Sequence, residues 1–438
     1  MVATDGTYTQ FAEMEFRATT GGADTTAPAG TALGTAAPQA GTPAAAFAND
    51  GSTTILQYAA ISDVWCGYDY GAASGGWQDI VEVAMMGAIG NISRTPMEFR
   101  VEYSDDATTW TTAWTVSTPV SAYTASAFTV FTKPTAATNY RYWRARLANC
   151  QSNTYTFAEV TMAIALAGAN QCTGGVALGL GGTPANAFDA ATGTTWTCTF
   201  ANHGYIGYDF GAGITKKIIE MSFLSRQDAT SFFNQWGRTV YVEASSDGIA
   251  WSAPIWTAPN CLQTYTDGPS FIRDPAAVTG GATHRWWGIR PTTLQSGTTF
   301  GLREVEFRST VGGARNTTGG RGGSIYPFDN TVFAGKAFDG TIAEYSSLST
   351  SGLIDMLVYD YGAGNEKATP AQIAMTARVT NSASEFNQAP TAFDLIYSDD
   401  GINFTTQQSF TTAAWTTASQ QLFAPAQSSG RRRQICNA

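Results

Sequence analysis

Apolar and polar residues alternate with a period of two through many short stretches of the chain. Around Val101 and Tyr103, and again around Tyr241 and Glu243, the alternation is bounded by Asp-Gly type turns. This pattern predicts antiparallel strands of two-sheet sandwiches. The stretches also repeat. Cys66-Gly-Tyr-Asp-Tyr-Gly-Ala72 recurs as Ile206-Gly-Tyr-Asp-Phe-Gly-Ala212 and as Leu357-Val-Tyr-Asp-Tyr-Gly-Ala363, each followed by an apolar strand such as 218–223. Tyr103-Ser-Asp-Asp-Ala-Thr-Thr-Trp110 is matched by Ala244-Ser-Ser-Asp-Gly-Ile-Ala-Trp251 and Tyr397-Ser-Asp-Asp-Gly-Ile-Asn-Phe404. Earlier in each block stands Phe47-Ala-Asn-Asp-Gly51, Phe188-Asp-Ala-Ala-Thr-Gly-Thr-Thr-Trp196 or Phe338-Asp-Gly-Thr341. Late in each comes Arg141-Tyr-Trp-Arg-Ala-Arg146, His284-Arg-Trp-Trp-Gly-Ile-Arg290 or the degenerate Arg431-Arg-Arg-Gln-Ile435. Three copies of one unit therefore set the architecture. Their shared residues have a structural role first, because an aromatic anchors each strand while Asp and Gly close the adjacent turn.

In this order the motifs resemble the discoidin or coagulation-factor type C domain, one of the galactose-binding-like jelly rolls that include many carbohydrate-binding modules. The resemblance covers nearly the whole chain and implies an all-β protein of three tandem jelly-roll sandwiches. The final strand of the pattern is x-Glu-Val-Glu-Phe. It stands at Phe157-Ala-Glu-Val-Thr-Met162, at Leu302-Arg-Glu-Val-Glu-Phe307 and, near the start, at Phe11-Ala-Glu-Met-Glu-Phe16, so its glutamates at 13, 159 and 304 are 146 and 145 residues apart. Read this way, residues 1–20 are a spare strand, 21–166 and 167–311 are whole sandwiches, and 312–438 is a sandwich lacking its last strand. An unpaired edge and a lone apolar strand are both costly, so the N-terminal strand is expected to complete the third domain in cis, or a neighbour's in trans by donor-strand complementation. The other alternative is a disordered strand, or a chain cut from a longer array.

Composition supports this class. Among 438 residues there are 45 glycines, 12% aromatics and only 13% charged side chains, which favours many short strands and tight turns over helices. A length of 438 allows two to four domains. The net charge is −10, and lysine is confined to Lys133, Lys216, Lys217, Lys336 and Lys367. Nucleic acid is thereby excluded as a partner. No run of eighteen apolar residues exists, and Met-Val-Ala-Thr-Asp-Gly lacks the features of a signal peptide, so neither a membrane span nor export is expected. The six cysteines are scattered without a C-x-x-C pair, which removes support for zinc or dithiol chemistry and leaves free thiols.

Enzyme constellations are missing. His203 and His284 occur in different contexts of the second repeat alone, with no nucleophile elbow, P-loop, Rossmann or zinc-protease pattern. The acids Asp105/Asp106 and Asp399/Asp400 belong to a repeated turn. The resemblance implies a structural calcium held by the Asp-Gly-x-x-x-Thr loop and the glutamate of the final strand. That assigns Asp189, Thr194 and Glu304 to the second repeat, Asp339 and Thr341 with Glu13 to the third, and Asp50 with Glu159 to the first, where Ala48 takes the aligned acidic position. Sugar binding needs exposed rings with nearby polar groups at one end of a sandwich. Candidates are Trp65 and Trp77, then Trp236 with Arg238 and His203, then Tyr345, whereas Trp110, Trp143, Trp251, Trp286 and Trp287 are assigned to the core.

By analogy from the fold, these features suggest a non-enzymatic, homo-oligomeric bacteriophage virion protein, made in the host cytoplasm, whose sandwiches contact host surface glycans. One alternative is a purely architectural decoration protein that contacts other virion proteins. Another is the carbohydrate-binding portion of a polysaccharide-degrading enzyme.

Overall fold

The computed structural model describes residues 8–26, 30–35, 38–48, 55–58, 64–71, 78–88, 90–117, 123, 126–148, 154–199, 204–226, 239–258, 270–278, 281–295, 299–318, 321–325, 334–341, 346–349, 356–362, 364–378, 385–415 and 420–426. Antiparallel strands dominate these residues. One α-helix is found among them, α1 (Pro43–Ala46), where Thr42 accepts the Ala45 N–H at 3.3 Å and Pro43 fixes the first turn.

The first block contains β1 (Thr9–Arg17), β2 (Thr31–Gly34), β3 (Leu56–Tyr58), β4 (Cys66–Asp69), β5 (Glu82–Gly87), β6 (Glu98–Tyr103), β7 (Thr111–Ser117) and β8 (Phe128–Thr132). One sheet has the order β3-β1-β5-β8, while β2 pairs with β4 and β6 with β7. Phe11, Leu56, Val83, Met85 and Phe131 of the first sheet meet Phe99, Trp114 and Val116 of β6 and β7 in one buried cluster. Cys66 and Tyr68 of β4 pack against the same cluster. The two faces of the block thus share a core by alternate residues, as period two requires.

The second block contains β9 (Tyr142–Ala148), β10 (Tyr155–Ala163), β11 (Val176–Gly179), β12 (Trp196–Cys198), β13 (Tyr205–Asp209), β14 (Glu220–Ser225), β15 (Thr239–Ser245), β16 (Ala250–Ser252), β17 (Trp256–Ala258) and β18 (Ser270–Arg273). Its sheets run β12-β10-β14-β18 and β11-β13-β9-β15-β17, and β16 pairs with β7.

The third block contains β19 (Thr283–His284), β20 (Trp286–Leu294), β21 (Thr299–Arg308), β22 (Arg321–Ile325), β23 (Ser346–Ser349), β24 (Met356–Asp360), β25 (Lys367–Ala368), β26 (Gln372–Ala377), β27 (Pro390–Ser398), β28 (Thr405–Thr411) and β29 (Gln420–Phe423). Its sheets run β23-β21-β26-β29 and β22-β24-β20-β27-β28. Trp287, Ile289, Leu357, Tyr359, Phe393 and Leu395 fill the core between them. Trp286, Met356, Val358 and Ile396 form a second cluster with Phe271 and Phe404. A sheet covered on both faces explains why β20 and β24 read as nearly continuous apolar runs.

These pairings correct the expected strand order. β1 pairs with β3 and β5, both in the first block, and not with the third. β10 pairs likewise with β12 and β14, and β21 with β23 and β26. The Glu-bearing strand therefore stands near the start of each block instead of closing it, directly after β9 in the second block and after β20 in the third. Among the described residues β1 is not a spare strand, and the boundaries expected at 166 and 311 fall after strands β10 and β21, which pair with the strands that follow them. The cause is physical: each of these strands finds its hydrogen-bonding partners downstream, across the loop that follows it.

By contact density the chain divides into two compact units: Met1–Arg144 with Asp209–Lys216 and Val242–Ile255, and Ala145–Tyr208 with Lys217–Tyr241 and Trp256–Ala438. Each contains buried charge that is paired. In the first, the Arg144 guanidinium lies 2.8 Å from Glu243, with both side chains fully buried, and stacks 4.3 Å from the Trp251 ring. In the second, Arg273 meets Glu220 at 2.7 Å, and Arg285 grips Asp360 through two bonds of 2.6 and 2.8 Å.

Candidate cation site

The opening strands share one irregularity. Register shifts between Phe11 and Glu13 in β1, between Phe157 and Glu159 in β10, and between Leu302 and Glu304 in β21. A bulge re-aims the residue beside it. Glu159 is turned onto the Phe188-Asp189-Ala190 loop, and Glu304 onto the Phe338-Asp339-Gly340 loop. Ala190 has φ of 60° and Gly340 of 81°, left-handed conformations that point their N–H groups at these glutamates. Ala190 donates to Glu159 at 2.9 Å, and Gly340 to both oxygens of Glu304 at 3.1 and 3.2 Å.

Glutamate and loop therefore come from the same block, which re-sorts the expected ligand sets. Glu159 belongs with Asp189 and Thr194, and Glu304 with Asp339 and Thr341. Glu13 is buried on the first block's own bulge, and Asp50, its expected loop partner there, lies outside the described residues. In the second block, Asp189 accepts the Ala191 N–H at 2.9 Å and the Thr194 hydroxyl at 2.7 Å. Burial, with Asp189 nearby, pushes the Glu159 carboxyl up to about 7. Two carboxylates, a hydroxyl and loop carbonyls are the hard oxygen donors that calcium takes, although no group of three or more acidic, His or Cys side chains gathers among the described residues.

The third block differs by one residue. Arg315 donates to the carbonyls of Phe338 and Asp339 at 3.2 and 3.3 Å and sits 3.6 Å from Glu304. A guanidinium already neutralises this pocket, so its residues do not fit a further cation. Burial still pushes Glu304 up to about 8, the Arg315 charge opposing the rise. The counterparts of Arg315 are Asp24 and Asn170, each of which turns back to accept N–H groups of its own segment, Phe16 and Thr26 in one case, Met162 and Cys172 in the other. Arg315 was legible as the odd member of Gly22-Ala-Asp24, Gly168-Ala-Asn170 and Gly313-Ala-Arg315, but the sequence alone does not place that position against the glutamate.

No family model, curated protein or solved structure matches the chain. Its site is therefore read from its own three copies.

The repeated acids of the Ser-x-Asp turn are turn residues. Asp106, Asp247 and Asp400 each accept two backbone N–H groups and a serine hydroxyl. These bonds hold the Asp106 carboxyl well below the usual carboxylate range. His284 ends β19 with Nδ1 2.9 Å from Asp399 and its ring stacked 3.8 Å from Tyr397. Cys66, Cys172 and Cys198 are free thiols, and burial raises the first two to about 12.

Of the expected sugar-binding residues, Trp65 is described, while Trp77, His203, Trp236, Arg238 and Tyr345 lie outside the described residues. Trp65 is 38% exposed, and its ring lies 5.5 Å from that of Trp110, itself 38% exposed. Trp110 was expected in the core and is not there, whereas Trp143, Trp251, Trp286 and Trp287 are all buried as expected.

Proposed function

We propose that the protein is a non-enzymatic structural component of a larger particle, built from three discoidin-like jelly rolls. The observation that carries this reading is the way blocks share strands. β16, in the second block's stretch of chain, pairs with β7 of the first, so one sheet draws on two blocks. A sheet shared in this way suits a building element. The resemblance of the repeats makes a bacteriophage virion the particle we favour, with the chain made in the host cytoplasm and seated against other virion proteins. Mass spectrometry of gradient-purified particles tests this: the chain is expected in fixed proportion to the major structural protein, and its absence from particles would overturn the reading.

A second reading, glycan attachment, is favoured by the exposed Trp65–Trp110 pair, because a pyranose face stacks on such rings. Glycan arrays probed with the full chain and with Trp65→Ala test it, and a flat profile for both removes it. We also propose a structural calcium in the second block, held by Glu159, Asp189 and Thr194. Its supports are the burial that raises the Glu159 carboxyl beside Asp189 and the oxygen-only donor set.

A further inference from the structure

The loops that face Glu159 and Glu304 differ at one position, and the difference follows that between Asn170 and Arg315. Both loops have the same frame. Asp189 accepts the Ala191 N–H at 2.9 Å and Asp339 the Thr341 N–H at 2.8 Å, while the residue between donates to the glutamate. The segment opposite is matched as well, since Gln171 donates its N–H to the Met162 carbonyl at 2.8 Å and Asn316 to that of Phe307 at 2.7 Å. Within this common frame the third block has Arg315 with Gly340, and the second has Asn170 with Ala190.

Each combination has a physical reason. The loop residue must be left-handed to aim its N–H at the carboxylate, with φ of 60° at Ala190 and 81° at Gly340. Glycine takes that conformation freely, whereas an alanine there is strained. Gly340 is a glycine for a second reason. A methyl built on it would overlap the guanidinium carbon and both terminal nitrogens of Arg315. The guanidinium that holds the Phe338 and Asp339 carbonyls therefore lies in the space a side chain would fill. In the second block Asn170 is turned back onto the Met162 and Cys172 N–H groups at 3.3 and 3.0 Å, and Ala190 keeps its methyl. By the shared frame, that methyl stands where a guanidinium from position 170 would have to lie.

We infer that these two positions act as a pair that decides what neutralises the bulged glutamate. Arginine with glycine fills the pocket from within the chain. Asparagine with alanine bars an internal guanidinium and leaves the oxygen donors for a metal ion. The metal half of this inference rests on the calcium reading above, and the pairing of the two positions does not. Residues 170 and 190 are thus the determinants of cation use in the second block, and residues 315 and 340 the corresponding determinants in the third.

Scanning calorimetry of the full chain in chelator tests the pairing through two double-mutant cycles. Gly340→Ala is expected to lower the melting temperature, because the methyl is strained and expels the guanidinium. In an Arg315→Asn chain the same change is expected to lower it markedly less, because the strain alone remains. Asn170→Arg is expected to lower the melting temperature too, and adding Ala190→Gly is expected to raise it by more than Ala190→Gly raises the native chain. Independent shifts in both cycles overturn the inference, and if Gly340→Ala does not fold, the second cycle decides it. Calcium is then added to the same proteins. Arg315→Asn with Gly340→Ala is expected to gain a calcium-dependent rise, and Asn170→Arg with Ala190→Gly is expected to lose the rise of the native chain. A rise that persists in the latter contradicts the inference. Coupled shifts with no response to calcium in any protein would remove the calcium reading and the metal half, leaving the pairing. A calcium response in the native chain with independent shifts would keep the cation site and overturn the pairing.

Discussion

Glu159 and Glu304 occupy the same bulged position and differ in what stands opposite, Asn170 in one block and Arg315 in the other. An unfolded glutamate ionises near pH 4.5, whereas Glu159 in the fold holds its proton to about 7. Below pH 4.5 both states are protonated and the fold loses nothing. Between pH 4.5 and 7 the unfolded chain has released a proton that the folded chain still holds at Glu159, so the Glu159 contribution to stability falls as pH rises and levels off above 7, while Glu304 extends the fall to about 8. Melting temperature is expected to drop across this window, and Glu159→Gln is expected to reduce the drop, leaving the part due to Glu304. Calcium at pH 7.5 is expected to raise the melting temperature of the native chain and to leave Glu159→Gln unmoved. Arg315→Asn is expected to add a second calcium-dependent rise by emptying the third pocket of its guanidinium. Calcium that shifts neither protein would remove the cation site.

At the scale of elements, much was legible in the chain. The Tyr-Asp-aromatic-Gly segments are strands β4, β13 and β24, and the Ser-x-Asp segments close the turns after β6, β15 and β27, because each depends on local alternation and local turn chemistry. Block order was not legible. A unit repeated every 145 or so residues has no intrinsic first strand, and only hydrogen bonds to residues far along the chain, such as Met14 opposite Met85, decide where a block opens. Trp110 shows the same limit. It aligns with buried Trp251, but burial is conferred by a neighbouring strand that the first block lacks among its described residues. The paired charges give a contrast that can be measured. Glu243→Ala leaves the buried Arg144 without its carboxylate partner and is expected to cost about 3–5 kcal/mol. Asp69→Ala removes an exposed carboxylate that accepts the Gly71 N–H, and is expected to change stability by less than about 0.5 kcal/mol. Equal costs from chemical denaturation would contradict this contrast between a buried and an exposed carboxylate.

Across the whole molecule, the same sequence pattern recurs three times with different surroundings. The third block's β22-β24-β20-β27-β28 sheet is apolar on both faces, with Trp287 toward one cluster and Trp286 toward the other. The first block turns Trp65, Trp110 and Asp69 to solvent. A charged-residue content of only 13% fits a protein whose surfaces meet copies or neighbours. The account depends on each Glu-bearing strand pairing with the strands that follow it in sequence. Disulfide trapping tests this most directly. Met14→Cys with Met85→Cys is expected to form an intrachain bridge under mild oxidation, mapped by peptide mass, whereas Met14→Cys with Met375→Cys is expected to form none. A bridge in the second pair and its absence in the first would return the N-terminal strand to the third block and contradict the account.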